Sequence, residues 1–160
     1  MTELTIGRKA PAFTAKDTDG KSVSLNKDIV GKPAVIYFYP KDDTPGCTKE
    51  ACSIRDQWSE LKRRRIQVYG ISPDDAESHA KFRDKFKLPF PLLCDPGHKI
   101  AEKYGAWGEK NMYGKKSFGI KRSTFLLDKE GRIQHIWKKP DVKRHAEQIL
   151  EKLDEIKAKK

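Results

Sequence analysis

Ala34-Val35-Ile36-Tyr37-Phe38-Tyr39 runs for six residues without a charge, entered through Gly31-Lys32-Pro33 and closed by Pro40. A strand with one wet face alternates apolar and polar side chains. This stretch does not alternate, so it reads as a strand buried on both faces, as in a parallel sheet covered by helices. Downstream, Thr48 to Arg65 has helical spacing, with Cys52, Trp58 and Leu61 among its apolar positions. Ile66 to Ile71 is a second strand. Ser72 then offers an N-cap and Pro73 a first helical residue for a helix running to about Phe86.

Further out the pattern alternates again. Phe90 to Leu93 is a short strand and His98 to Tyr104 a short helix. Thr124 to Leu127 and Arg132 to Trp137 are strands joined by the turn Asp128-Lys129-Glu130-Gly131. Asp141 to Ile156 closes as an amphipathic helix, with Val142, Ile149, Leu153 and Ile156 at helical spacing. Upstream, Asp17 to Gly20 is a turn between Phe13–Ala15 and Val23–Leu25, a small N-terminal hairpin. The expected fold is α/β and thioredoxin-like: a central mixed β-sheet flanked by helices, with an N-terminal β-hairpin extension. At 160 residues it makes one domain, residues 1–160.

The formal charge of +11 raises the possibility of nucleic acid. The positive residues are spread, however, and concentrate only at Lys62 to Arg65 and Lys157 to Lys160. Those are expected to be a solvated helix end and a flexible tail. No zinc-finger spacing or RNA-recognition signature accompanies them, so no nucleic-acid partner is expected. Met1 to Ala10 carries Glu3 and no signal-length apolar stretch, and nothing approaches the ~20 apolar residues of a membrane span. The cytoplasm is the expected location. Three cysteines in that reducing compartment signify chemistry or packing, not a disulfide framework.

Pro40-Lys41-Asp42-Asp43-Thr44-Pro45-Gly46-Cys47-Thr48-Lys49-Glu50-Ala51-Cys52 lies between the buried strand and its helix. Cys47 therefore falls in the first turn, where unpaired backbone N–H groups and the positive end of the macrodipole favour thiolate over thiol. The Thr44 hydroxyl, three residues earlier, can donate to the sulfur or to a bound oxygen. Five residues separate Cys47 from Cys52. On an ideal helix that is a rise of about 7.5 Å and a turn of about 140°, hence about 8.7 Å between Cα atoms. A disulfide tolerates at most about 7 Å. The two cysteines can bond only if the first turns of the helix unwind.

Pro40-x-x-x-Thr44-x-x-Cys47 resembles the peroxiredoxin signature, and Cys47-x-x-x-x-Cys52 that of the bacterioferritin comigratory protein, or Q-type, branch. The resemblance extends from Gly7-Arg8-Lys9-Ala10-Pro11-Ala12-Phe13 through Lys121-Arg122-Ser123-Thr124-Phe125-Leu126-Leu127-Asp128. It implies a thiol peroxidase for hydrogen peroxide and organic hydroperoxides, recharged by thioredoxin or a similar dithiol, with no cofactor or metal. It also implies that Cys47 attacks the peroxide, Cys52 resolves the sulfenic acid, and Thr44 orients thiolate and peroxide. Arg122 would supply a guanidinium and Pro40 would shield the pocket. Only the resemblance selects Arg122 among nine arginines. Resolution within one chain needs no partner copy, so a monomer is expected.

Two rival readings use the same residues. A thiol–disulfide oxidoreductase lacking peroxidase activity is disfavoured by the missing Cys-x-x-Cys and by Thr44. A basic binding module would show salt-dependent nucleic-acid binding. Cys94, after an apolar strand, is expected to be a buried structural thiol. His79, His98, His135 and His145 lack metal-site spacing and are expected at the surface or in packing.

Overall fold

The uncharged run Ala34–Phe38 forms a fully buried strand whose two faces feed two separate cores. Ala34, Ile36 and Phe38 join the first with Phe13, Tyr104 and Phe125. Val35, Tyr37 and the following Tyr39 join the second with Cys47, Ile54, Phe82 and Ile149. The computed structural model describes residues 4–112 and 114–158. Glu3 and the last two lysines of the expected tail, Lys159 and Lys160, lie outside the described residues.

In chain order the elements are β1 (Thr14–Lys16), β2 (Ser22–Ser24), a π-helical turn at Leu25–Ile29, β3 (Ala34–Phe38), α1 (Pro45–Asp56) and α2 (Trp58–Arg63). There follow β4 (Gln67–Ser72), α3 (Ala76–Phe86), β5 (Leu92–Cys94), α4 (Lys99–Lys103), β6 (Trp107–Met112) and β7 (Lys115–Ile120). The chain closes with β8 (Ser123–Leu127), β9 (Ile133–Trp137) and α5 (His145–Ala158). Seven strands form one sheet in the order β2-β1-β5-β4-β3-β8-β9, while β6 and β7 form a separate hairpin. β3 runs parallel to β4 and antiparallel to β8, so the expected mixed sheet is present. In the parallel register Tyr37 faces Gly70, where a Cβ would come within 2.9 Å of the tyrosine ring. A glycine leaves room for that ring.

Several boundaries differ from expectation, each for a local reason. The N-terminal hairpin forms, with the Asp17 carboxylate accepting from the N–H groups of Asp19 and Lys21. It is more than an extension, because Lys16 pairs with Cys94 and adds β1 to the main sheet. The helix expected over Thr48 to Arg65 starts earlier, at Pro45, and breaks at Gln57 into α1 and α2. Ser72 does not cap α3. It ends β4, and the cap is Asp75, whose side chain accepts from Ser78 N–H at 2.8 Å. The last helix opens at His145 rather than Asp141. The β6–β7 hairpin was not foreseen: its residues are largely charged or polar and carry no apolar run.

The basic run at the end of α2 is partly neutralised. Arg63 and Arg64 reach Glu60, and Arg64 also reaches Asp154 of α5. Among the described residues no helix is long and apolar enough to cross a membrane.

Candidate active site

α1 begins without a side-chain cap. Thr44 takes the N-cap position with extended backbone, and its carbonyl accepts from Thr48 N–H at 2.8 Å. Its hydroxyl donates to Lys41 O at 2.9 Å, so the proton is turned to the loop while the oxygen keeps lone pairs free to accept. Pro45 at the first helical position has no N–H to strand there. Two residues on, Cys47 is 1% exposed, packed under the sheet face that carries Tyr37 and Tyr39. Pro40, half-buried, follows Tyr39 at the mouth of the same loop.

Arg122, in the link between β7 and β8, ties the sulfur to the sheet. One arm of its guanidinium, Nη2, lies 3.2 Å from Cys47 Sγ, and the other, Nη1, lies 2.6 Å from Glu50 Oε1. A planar fork can hold two acceptors in fixed geometry, which a lysine cannot do. Gly46 makes the approach possible, since a Cβ there would lie 3.2 Å from Nη2. Lys110 of β6 is a second cation nearby. Burial lowers its pKa, the Arg122 charge lowers it further, and Cys47 pulls it back up.

Glu50 is a buried, charged member of this arrangement that sequence reasoning missed. It is 0% exposed, and burial raises its carboxyl to about 7 against the opposing pull of Arg122. A signal existed. Glu50 sits three residues after Cys47, on the helix face that also carries Ala51 and Ile54, and a carboxylate there demands a buried cation.

Cys52 lies further along α1, half-buried, and neither cysteine is bonded. Burial raises its thiol pKa, Arg55 lowers it and Asp56 raises it. Cys94 is not the buried thiol that was expected. It is half-buried at the end of β5, the last residue of a strand flanked by β1 and β4, and burial followed by Asp75, Asp42, Asp17 and Asp74 raises its pKa.

Two histidines expected at the surface or in packing are wholly enclosed and hydrogen-bonded. His79 of α3 places Nδ1 2.7 Å from Asp42 Oδ2 and Nε2 3.0 Å from Leu93 O. Asp42 also accepts from Tyr39 and Ser78 hydroxyls, and its own N–H donates to Asp74. Asp42, Asp74 and His79 could offer one ligand atom each within 4.8 Å. Hydrogen bonds within the protein already engage all three. His145 of α5 lies 2.8 Å from Thr124 Oγ1, and burial depresses its pKa to about 4.

A buried sulfur beside a helix N-terminus, facing a fixed guanidinium, is the arrangement of a protein that works through a thiol. The comparisons give it a family. Residues 6–136 match the AhpC/TSA family model. Peroxiredoxin Bcp of Bacillus subtilis is 46% identical over 156 residues, covering 98% of this chain and 99% of that protein. A Xanthomonas campestris bacterioferritin comigratory protein, described for its alkyl peroxide reduction activity, superposes with a TM-score of 0.82 at 37% identity, covering 89% and 90% of the two chains. A PrxQ mutant from Xylella fastidiosa superposes with a TM-score of 0.87 at 30% identity, covering 96% and 98%. The chain belongs to the AhpC/TSA family, in its Bcp or Q-type branch, and has the thioredoxin-like peroxiredoxin fold. It is a thiol-dependent peroxidase.

Proposed function

We propose that Cys47 is the thiol that attacks the hydroperoxide, that Cys52 resolves the product, and that a thioredoxin-class dithiol restores both. The observation that carries the reading is the Arg122 fork, which sets one N–H on Cys47 Sγ and the other on Glu50. The Cys47 thiolate attacks the distal oxygen of ROOH; the S–O bond forms as the O–O bond breaks, giving a sulfenic acid and RO⁻, which takes a proton to leave as water or alcohol. Arg122 is placed to stabilise negative charge on both sulfur and leaving oxygen. The Thr44 oxygen can accept from the peroxide O–H, and Pro40 walls the loop side. The sulfenic acid then condenses with the Cys52 thiol, releasing water and forming the disulfide. A dithiol partner reduces that bond and is itself oxidised.

The alkyl peroxide activity described for the Xanthomonas relative supports organic hydroperoxides as substrates here alongside hydrogen peroxide. The site lies within one chain, which supports a monomer. The proposed dithiol reductant supports a cytoplasmic location.

Peroxide turnover coupled to thioredoxin and its reductase tests the scheme. Cys47→Ser should be inactive, because an alcohol cannot replace the thiolate. Cys52→Ser should consume one equivalent of peroxide and then stall. Turnover at the wild-type rate by Cys47→Ser refutes the attack, and normal cycling by Cys52→Ser moves resolution to another thiol.

A further inference from the structure

Glu50 lies between Cys47 and Cys52 on α1, inside the segment that has to unwind before those cysteines can meet. It is the one carboxylate among the side chains that α1 buries, the others being Cys47, Ala51 and Ile54. We propose that Glu50 is a proton-operated release for the resolving step: once it ionises, the Cys47–Cys52 turn opens more readily and Cys52 gains access to the oxidised sulfur. This rests on the reading that Cys52 is the resolving thiol.

The surroundings of the carboxylate make it a poor place for a charge. Oε1 is held by Arg122, while Oε2 is buried with no donor among the described residues. From α5, His145 Nε2 stands 4.0 Å from Oε2 but brings no charge. Its Nδ1–H faces Gln148 Oε1, which already accepts from Asp141 N–H, so Nε2 carries no hydrogen and accepts from Thr124. From β3, Tyr37 is buried, and burial followed by the charges of Glu50 and Cys47 keeps it a phenol. On α1 itself, Cys47 Sγ is the other acceptor of the same guanidinium. Two cations serve the pocket: Arg122, shared between sulfur and carboxylate, and Lys110 of β6, whose charge acts on Arg122 and Cys47.

The direction of the linkage follows. In the wound helix, burial holds the Glu50 carboxyl at about 7, against an ordinary value of 4.5 once the segment opens to water. A group raised in the folded state stabilises that state fully below its ordinary value and progressively less as pH rises toward its folded value. The wound turn is therefore most secure in acid. Its opening becomes easier by up to about tenfold per pH unit through this window and then levels off. Condensation itself, Cys47–SOH plus Cys52–SH giving the disulfide plus water, changes no proton count. The carboxyl does: each molecule that opens with Glu50 protonated sheds one proton to solvent.

The experiment is a single stoichiometric pulse of hydrogen peroxide on reduced full-length protein between pH 5 and 8. Disulfide formation is followed by quenched mass measurement and protons by indicator dye. Wild type should release a proton in the same kinetic phase as the disulfide, most strongly below pH 7 and fading above it. In Glu50→Gln, attack on peroxide should slow because Arg122 loses its anchor. The rate of sulfenic acid to disulfide should lose the wild-type bend near pH 7 and follow only Cys52 ionisation. A disulfide that forms in wild type with no accompanying proton, or with the pH dependence of Glu50→Gln, overturns the release. Should that variant fail to fold, the wild-type proton count decides alone. Absence of any Cys47–Cys52 disulfide at every pH fails differently: it removes the resolving role of Cys52, and the release falls with it.

Discussion

Arg122→Lys keeps the positive charge and removes the fork, which makes it the sharpest test of the site. The arginine reaches Sγ and Glu50 at once, 3.2 Å and 2.6 Å away through different nitrogens, with a side chain only 21% exposed. A lysine ammonium is a single point on a flexible stem and can serve one of these acceptors well. If it stays with Glu50, the sulfur loses one charge-assisted hydrogen bond, worth about 1.5–3 kcal/mol. At about 1.4 kcal/mol per decade, oxidation of Cys47 slows by roughly tenfold to a little over a hundredfold. If the ammonium moves to the sulfur, the rate is spared and Glu50 is left as an unpaired buried carboxylate, which lowers stability by a comparable amount. One of the two must suffer. Stopped-flow measurement of the second-order rate of Cys47 oxidation, beside urea unfolding of the same sample, reads both. An Arg122→Lys protein with wild-type rate and wild-type stability would falsify the assignment of the fork to catalysis.

Gly46→Ala puts a methyl 3.2 Å from Arg122 Nη2, so the guanidinium has to shift. Cys47 oxidation should slow several-fold, while thermal stability holds or rises because alanine gains about 0.5–1 kcal/mol over glycine in a helix. An unchanged rate shows that the arginine has slack. Asp42→Asn removes the carboxylate that faces His79, Tyr39 and Ser78 in a buried knot. Leaving buried groups of such a knot without their partner costs about 1–3 kcal/mol. Urea unfolding checks it, and a loss under 1 kcal/mol shows the knot to be dispensable.

How much of this was legible depended on whether the signal was local. The uncharged run at Ala34–Phe38 declared a two-faced strand because a double burial leaves no polar side chains, and its parallel partner at Val68–Ile71 declared itself likewise. Cys47 at a helix start was legible for the same reason: Thr, Pro and Gly before it mark the boundary. Glu50 was not, because its meaning lies in Arg122, seventy-two residues away and brought near only by the pairing of β3 with β8. Asp42 and His79 were hidden in the same way, each looking like an ordinary surface residue until α3 packs against the loop. Ser72 misled for a different reason. Its sequence context suits an N-cap, but its backbone is already committed to the ladder opposite Cys94, and tertiary pairing outweighs local capping.

Two hydrogen-bond systems of opposite character meet at Thr44. Behind it, the loop from Tyr39 is pinned by Asp42 to His79, Ser78 and Asp74, side chains of α3 and the turn that leads into it, and His79 is fixed in turn to Leu93 O. Ahead of it, α1 has no side-chain cap, carries a glycine in its first turn, encloses a carboxylate, and gives way to a second helix at Gln57. Strain in such a structure relaxes where the chain is least tied, so opening is expected to start in α1 and stop at Thr44. That division suits the scheme proposed for Cys47 and Cys52. The wall that meets the peroxide has to be in place before attack, whereas the turn that carries the sulfur has to leave it afterwards. Arg122 is the contact that spans both parts, joined to α1 through Cys47 and Glu50 and to the sheet through its own strand link. Whatever loosens that one side chain therefore weakens the first step and eases the second.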